Sequence, residues 1–361
     1  MRTGLFVAGA GVLAGAIATW VALLPPSESV PIKVSTDAAP APHTDEAVPR
    51  PAPSTVLAIN PRRVSQAPAV RVTIRSGPRQ DLLAAKRYRP LWDRLRNSPE
   101  GATADGAYVL YRIASRCANV TDRPYWRSPN RGKTNEQVRD EFMKTLAPND
   151  PQRDKRLAAF EDVNAQVCEG FGDLTMTQAD LRAMLGKAAD AGSAEAKAMQ
   201  IGEEVRLGQR GHWDHGTLSD EQIGSLEQLA QTRDPGAILE AGRILSNSYR
   251  DLTVRDGSDG PMLEPRALHN AWTLVACEYG YACGADNTRV QQACAFQGHC
   301  DASNLQDYLY YYAASPHDSQ LMTQYESMLR TAVETGDWSH LSFVRGTRPP
   351  NTPTYIVGPT S

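Results

Sequence analysis

The sequence predicts an all-α fold: a solenoid-like body of repeated helical hairpins that follows an N-terminal transmembrane helix and a disordered, proline-rich linker. Residues 4–24 form an uncharged apolar run, and eleven prolines fall between Pro25 and Pro78. From about Gln80 onwards, apolar residues recur every three or four positions, as in amphipathic helices. The predicted boundaries are 1–24 for the membrane helix, 25–79 for the linker, 80–345 for the body and 346–361 for a disordered tail.

The apolar run from Gly4 to Leu24 is long enough to cross a bilayer. Its 21 residues, at about 1.5 Å rise per residue, span roughly 30 Å, the thickness of the hydrocarbon layer. A cleaved signal peptide has a shorter apolar region of roughly 7–15 residues. An uncleaved signal anchor is therefore favoured, with cleavage after Ala18 as the alternative. Arg2 is expected to keep the short end in the cytoplasm, so that the rest of the chain is exported.

The linker separates the predicted anchor from the body and differs from the body in charge. Each proline removes an amide donor and fixes φ, so neither a helix nor an interior strand is expected to persist there. Residues 47–96 contain 11 basic and 2 acidic residues, whereas residues 97–361 contain 25 basic and 35 acidic residues. Because phosphate binding needs a basic surface, the acidic body argues against nucleic-acid binding. A solvated linker is favoured over one that touches anionic lipid or cell-wall polymer.

Helix starts and stops are well marked in the body. The segments "TNEQ" from Thr134 and "SDEQ" from Ser219 are capping boxes, in which a hydroxyl accepts from the third amide and the Gln reaches back. Pro151 and Pro235 are expected in first helical turns. No segment alternates convincingly as a strand, although "AVRVTIRS" from Ala69 could form a short one. Glycines are expected to end five helices: Gly192, Gly208, Gly280, Gly298 and Gly336.

One pattern recurs along the body. The segment "KAADAGSAEA" (Lys187–Ala196) aligns with "QLAQTRDPGA" (Gln228–Ala237) at an offset of 41 residues. The segment "TAVETGDWSH" (Thr331–His340) follows the same pattern, and "VACEYGYACG" (Val275–Gly284) fits its first part. In this pattern alanines end a helix on its packed face, a glycine takes the left-handed cap, and the next helix begins a few residues later. The pattern predicts helical hairpins repeated in tandem.

These repeats resemble the tetratricopeptide superfamily, and more closely its Sel-one-like branch, which ends a helix with Lys-Ala-Ala-x-x-Gly. The matching residues in the first copy are Lys187, Ala188, Ala189, Gly192 and Ala196, with Ile201 and Gly202 one residue late. In the second copy Asp234, Ala237, Ala241 and Gly242 keep the spacing, but Arg233 replaces the glycine. The resemblance covers Thr177–Tyr249 and scattered units to about Phe343. It implies a curved stack of helix pairs that binds protein partners, and it implies no catalysis.

Six cysteines are present, and their spacing favours three disulfides. An even number in an exported chain is typical of a disulfide framework. The segments "ACEYGYACGADN" (276–287) and "ACAFQGHCDASN" (293–304) each place a glycine between two cysteines, so the chain can fold back and bring them together. The favoured pairs are Cys277–Cys283, Cys294–Cys300 and, by elimination, Cys117–Cys168. A zinc site and free thiols remain as alternatives, although the spacing typical of zinc ligands and the Cys-x-x-Cys of redox sites are both missing.

Three other segments were weighed for chemistry, and in each a structural interpretation is favoured. The segment "HWDH" at 212–215 is read as an inter-repeat loop rather than a metal pair formed by His212, Asp214 and His215. The segment "RDGSDG" at 255–260 is read as a flexible turn, because it lacks the alternating acidic ligands and the closing Glu of an EF-hand calcium loop. For Tyr308, Tyr311 and Tyr312, packing between helices is favoured over a ligand groove or interface hot spot.

The sequence therefore predicts a single-pass protein of a bacterial inner membrane whose body lies in the periplasm. Its predicted function is a scaffold that binds another envelope protein or peptide. The alternatives are an enzyme of the cell wall or a regulator of one, and a structural spacer without a discrete ligand. No hydrolase, phosphate-loop, metalloprotease or dinucleotide motif is present, so no residue is assigned a catalytic, cofactor-binding or metal-binding role.

Overall fold

The prediction of an all-α body is confirmed by a computed structural model, which is mostly helical. The model describes residues 77–122, 134–163, 167–208, 216–247, 249 and 252–346. The predicted anchor, nearly all of the predicted linker and all but the first residue of the predicted tail lie outside these ranges. Among the helices that are described, none combines the length and the apolar character that crossing a bilayer requires.

Thirteen α-helices occur in the described residues, together with a 3₁₀ turn at Pro99–Ala102. They are α1 (Pro78–Ala84), α2 (Arg89–Arg96), α3 (Ala104–Cys117), α4 (Asn135–Thr145), α5 (Arg153–Val163), α6 (Gln178–Asp190), α7 (Ala194–Leu207), α8 (Asp220–Gln231), α9 (Pro235–Leu245), α10 (Pro265–Glu278), α11 (Thr288–Gln292), α12 (Leu305–Tyr308) and α13 (Pro316–Thr335). Helix α11 continues into a first π-helical turn, Ala293–Gln297, and α12 continues into a second, Leu309–Ala313. Because α1 begins at Pro78, helical structure starts just inside the predicted linker.

The predicted caps explain where several helices begin. Thr134 and Ser219 both form complete capping boxes, with the hydroxyl and the Gln side chain each making its bond. Pro235 is the first residue of α9, as predicted. Pro151 is not in a first helical turn, because α5 begins only at Arg153. Most of the predicted helix starts are therefore determined by residues in or next to the first turn of the helix.

Helices α6–α7 and α8–α9 form two hairpins whose turns match at the predicted offset. The first turn uses Gly192 at φ 102°, and the second uses Arg233 at φ 60°, so Arg233 takes the left-handed conformation that the pattern assigns to glycine. The next residue caps the second helix in each hairpin: Ser193 accepts from the amide of Ala196, and Asp234 accepts from the amide of Ala237. The glycines that were expected to end helices all follow a helix, but Gly208 keeps a right-handed φ of −71°.

The larger core runs through α7, α9, α10 and α13, which pack on one another in that order. Its centre is Trp272 of α10, which is 0% exposed. Helix α9 can approach this ring because it carries Gly242, where a Cβ atom would lie 2.3 Å from the Cβ of Trp272. A second core lies where α2 and α3 pack with α6. The apolar faces predicted from the three- and four-residue spacing therefore face each other.

A smaller apolar cluster joins α4 and α5 to the first π-helical turn. The rings of Phe142 and Phe160 stack with their centroids 4.0 Å apart. Phe296 of the π turn meets both rings edge-on, at 5.7 and 6.0 Å. This contact brings the residues around Cys294 and Cys300 against a helix pair that precedes them by more than a hundred residues.

Two small sheets are present among the described residues, although no segment of the body alternates convincingly as a strand. Strand β1 (Asn119–Val120) pairs in parallel with β2 (Thr175–Met176), and β3 (Leu252–Arg255) pairs antiparallel with β4 (Ser342–Arg345). Segments of two to four residues are too short to show an alternating pattern, and their pairing is set by the helices that bring them together. The segment "AVRVTIRS" lies outside the described residues.

Candidate functional site

The six cysteines lie in the three pairs that their spacing favoured. Cys117 ends α3 and bonds Cys168 in the segment before β2, with 5.1 Å between the Cα atoms. Cys277 bonds Cys283 across the turn at Gly280, and Cys294 bonds Cys300 across the turn at Gly298. Both glycines are left-handed, at φ 101° and 78°. Their positive φ reverses the chain at the helix end, which is how a six-residue separation becomes a short cross-link.

The two short disulfides enclose the segment that carries the first π-helical turn. The amide of Leu305 donates to the carbonyl of Cys283 at 2.8 Å, which fixes the start of α12 against the first of these loops. Arg156 of α5 donates to the carbonyl of Ala295 at 2.9 Å, which fixes the second loop. We call residues 279–313 the stapled region. Its backbone is held by covalent and polar contacts as well as by packing.

Four ring side chains of the stapled region are partly or largely exposed, and we call this set the aromatic patch: Phe296, His299, Tyr311 and Tyr312. Phe296 is 55% exposed, Tyr311 is 72% exposed and Tyr312 is 40% exposed. The His299 and Tyr312 rings stack with their centroids 4.6 Å apart. The hydroxyl of Tyr308 donates to the side-chain oxygen of Gln297 at 3.4 Å, which also joins the two π-helical turns. Packing between helices was favoured for the tyrosines, and it is wrong for Tyr311.

The patch consists of three exposed aromatic side chains and one imidazole, that of His299. Large exposed aromatic side chains are informative because water usually surrounds smaller or charged residues. A tyrosine offers a rigid apolar face and a hydroxyl at little entropic cost, which is why tyrosines concentrate in interface hot spots. The π-helical geometry is itself frequent at functional sites. The arrangement therefore has the composition of a recognition surface.

A second cluster, which the sequence did not reveal, surrounds the buried carboxylate of Glu195 at the start of α7. Arg79 of α1 donates to Glu195 at 3.1 Å and lies 3.2 Å from Asp234. The hydroxyl of Tyr108 also donates to Glu195, and Arg112 donates to that hydroxyl at 3.1 Å. Burial raises the pKa of Glu195 although Arg112 and Arg79 oppose the rise.

The Glu195 cluster fixes α1 to the body. Gly236 of α9 makes room for it, since a Cβ atom there would lie 2.0 Å from the Glu195 carboxylate. Glu195 and Gly236 occupy equivalent positions at the 41-residue offset, so one copy supplies the acid and the next supplies the space. A glutamate in one copy of the repeat and a glycine at the same position of the next copy are the sequence signal that could have revealed the cluster. The cluster therefore holds α1, the first described helix, against the starts of α7 and α9.

Two further places were examined for catalytic chemistry. His269 is 4% exposed, and burial, with Arg289 and Arg243, lowers its pKa to about 3, so it stays neutral inside the core. A cavity of about 270 Å³ lies between the loop after β3 and α13, lined in part by Asp256, Glu264 and His317. This volume is below the roughly 300 Å³ at which small-molecule sites usually begin. The cavity is therefore a place where carboxyl and imidazole side chains lie together, in a space smaller than a usual small-molecule site.

The remaining candidate residues do not gain a role. His212, Asp214 and His215 lie outside the described residues. The segment "RDGSDG" begins at the last residue of β3 and forms a bend. The bend brings Met262 back to pair with Arg255 in an isolated antiparallel bridge. Within the described ranges, no three His, Cys, Asp or Glu side chains are grouped as a metal site would need.

Comparison with known proteins adds no relative. A scan against protein-family models matches no family, and searches of curated proteins and of solved structures find no significant match.

Proposed function

We propose that this chain is a membrane-anchored periplasmic scaffold whose helical-repeat body binds another envelope protein or peptide. The observation that carries the proposal is the aromatic patch, whose rings lie on or next to the two π-helical turns, the first of which is closed by the Cys294–Cys300 disulfide. A rigid platform binds more tightly than a mobile one, because less conformational entropy is lost on association. Disulfides also persist only in an oxidising space, which agrees with export to the periplasm.

The repeat type and the topology belong to the same proposal. The two hairpins share a left-handed residue, a capping residue and a buried alanine at matching positions, and these features support a Sel-one-like repeat. The apolar run at 4–24 and the basic, proline-rich linker support a single-pass anchor with a spacer. In this arrangement the spacer holds the body away from the inner membrane, and the body meets its partner in the periplasm.

Site-specific photocrosslinking in the native host tests the proposal. A photoreactive phenylalanine analogue replaces Tyr311 in the patch, and the same analogue replaces Leu207 as the control, since Leu207 is 54% exposed but lies at the end of α7. We expect a discrete crosslinked protein from position 311 and none from position 207. Equal labelling from both positions, or none from position 311, would contradict the proposal. Crosslinks to cell-wall polymer instead of protein would favour the cell-wall alternative.

Membrane fractionation tests the topology separately. The intact chain should sediment with inner membranes and resist carbonate extraction, and its body should be digested by protease in spheroplasts. A full-length chain in the cytosolic fraction would contradict the topology without bearing on the aromatic patch.

A further inference from the structure

The cavity between the segment after β3 and helix α13, which we call the β3–α13 cavity, combines apolar walls with unused polar groups. Its apolar lining consists of Pro261, Met262, Leu263 and Leu321. Its polar lining consists of Asp256, Glu264, His317, Gln324 and Tyr325. A cavity of roughly 150 Å³ holds benzene, so the volume of about 270 Å³ here leaves room for a ligand somewhat larger than benzene.

Two carboxylates line this cavity, and each has only one oxygen in a hydrogen bond. Oδ1 of Asp256 lies 3.0 Å from Nδ1 of His340. Oε2 of Glu264 accepts from the amide of Ala267 at 2.6 Å and so caps α10. Within the described residues, the second oxygen of each carboxylate has no hydrogen-bond partner. A donor in the cavity therefore finds two anionic acceptors with unused capacity.

A buried hydroxyl lies beside these carboxylates. Tyr325 is only 4% exposed, and its hydroxyl accepts from the amide of Glu264 at 3.2 Å. No described residue accepts the hydrogen of that hydroxyl. Burial raises the pKa of Tyr325, and the charges of Glu264 and Asp256 add to the rise, while the bond from the Glu264 amide opposes it. Both carboxylates therefore lie close enough to the hydroxyl to act on it, and the three groups form one polar region.

We propose that the β3–α13 cavity binds an ammonium group carried on a short alkyl chain, as in a lysine side chain or a free alkylamine. An ammonium group has three donors, which match Asp256, Glu264 and the oxygen of Tyr325. The alkyl chain packs against the apolar wall formed by Met262 and Leu321. This site shares no residue with the aromatic patch, so it goes beyond the scaffold proposal and does not depend on it.

Other ligand classes match the cavity less well. An anion would meet two carboxylates of its own charge. An uncharged apolar ligand would cover both carboxylates without giving them a donor, which costs free energy. A bare metal ion would leave the apolar walls unfilled, and no three His, Cys, Asp or Glu side chains in the described part of the chain are grouped to hold one.

Methyl NMR of the full-length protein in detergent, with carbon-13 in the methionine methyl groups, tests the proposal. The probes are pentylamine and Nα-acetyl-lysine methylamide, and pentanol is the uncharged control with the same alkyl chain as pentylamine. At pH 7 both amines are protonated. We expect each amine to shift the Met262 resonance, assigned from the spectrum of Met262→Leu, in a saturable way that weakens in high salt. Pentanol should not shift it.

Variants at the two carboxylates give the sharpest comparison. Asp256→Asn combined with Glu264→Gln removes both charges but keeps an oxygen for the His340 and Ala267 bonds, and it should weaken amine binding by at least about ten-fold. Asp256→Asn alone leaves the cap of α10 intact and should weaken binding several-fold. Asp259→Asn is the matched control, because Asp259 is an exposed acid of the same loop that does not line the cavity.

The two amine probes also distinguish the source of the ammonium group. Tighter binding of the lysine derivative would indicate a protein side chain, and tighter binding of pentylamine would indicate a free amine. Equal affinities would support the shared chemistry. The proposal is overturned if neither amine shifts the Met262 resonance, if pentanol shifts it equally, or if the double variant binds pentylamine as the wild type does.

Discussion

The hairpin region, α6 to α9, and the stapled region, residues 279–313, are ordered by different means. In the hairpin region short turns join helices whose small residues let neighbouring backbones approach, as Gly242 does beside Trp272. In the stapled region the helices are short, two π-helical turns interrupt them, and two disulfides close the loops. Long helices gain stability from packed faces, whereas short segments need cross-links because they bury too little apolar surface.

This difference agrees with where exposed rings occur. In the hairpin region most large apolar side chains are buried in the core. The stapled region, in contrast, exposes Phe296, Tyr311 and Tyr312 to solvent. A surface that exposes apolar rings cannot rely on burying them for its own order. Around Phe296 the Cys294–Cys300 disulfide provides that order without covering the ring.

The largest effect is expected where the hairpin region packs most closely. Gly242→Ala places a methyl group 2.3 Å from the Cβ of Trp272, an atom fixed to the backbone of α10. We expect a loss of about 3 kcal/mol in the free energy of unfolding, the upper part of the usual range for an overfilled core. Urea denaturation measures it.

Gly224→Ala is the matched control for this substitution. Gly224 also lies within a helix, α8, but nothing lies within 4 Å of where its Cβ would be. Alanine should there stabilise the protein by about 0.5–1 kcal/mol through helix propensity. If Gly242→Ala and Gly224→Ala changed the free energy of unfolding by similar amounts, close approach of the backbones would not be what orders this region.

Removing one staple should have the next largest effect, and a local one. The double variant Cys294→Ser with Cys300→Ser opens a loop closed at a sequence separation of 6 residues. Loop entropy alone predicts a loss of about 2 kcal/mol. Amide exchange should rise in residues 293–300 and not in α6 to α9. Faster exchange throughout the hairpin region would show that the two regions are not held independently.

The pH dependence of stability is expected to be smaller still. Because burial and the adjacent Glu278 carboxyl raise the pKa of Glu326 to about 7, the free energy of unfolding should fall between pH 5 and pH 8. We expect Glu326→Gln to reduce that fall by on the order of 1 kcal/mol, less than the full pKa shift would give, because the carboxyl is partly exposed to solvent. Urea denaturation at the two pH values measures it. A Glu326→Gln profile that coincides with the wild-type profile would show that the Glu326 carboxyl does not link protons to folding.

Sequence reasoning succeeded where the signals are local, in the hairpin region and at the short disulfides. A capping hydroxyl at Ser219, a proline at 235 and the cysteine–glycine–cysteine spacing each act within a few residues. The short strands and the Glu195 cluster were missed because each joins segments that are far apart in the chain. The exposure of Tyr311 was missed for a related reason, since helical spacing shows which residues share a face but not whether another element covers it.

The smallest effect compares the two left-handed turns of the hairpins. Arg233 adopts φ 60° where the first hairpin has Gly192 at φ 102°. Arg233→Gly should relieve backbone strain and stabilise the protein by about 0.5 kcal/mol, less than the full cost of a left-handed residue. Two losses reduce the gain: the flexible glycine costs entropy on folding, and the 3.3 Å hydrogen bond from the Arg233 guanidinium to the Glu334 carbonyl disappears.

Gly192→Ala is the complementary substitution in the first hairpin. Its added methyl group meets nothing within 4 Å, so the free energy of unfolding should fall by about 1 kcal/mol through the backbone conformation alone. Urea denaturation of the pair measures both changes, and equal signs would mean that the two turns are not equivalent copies of one repeat.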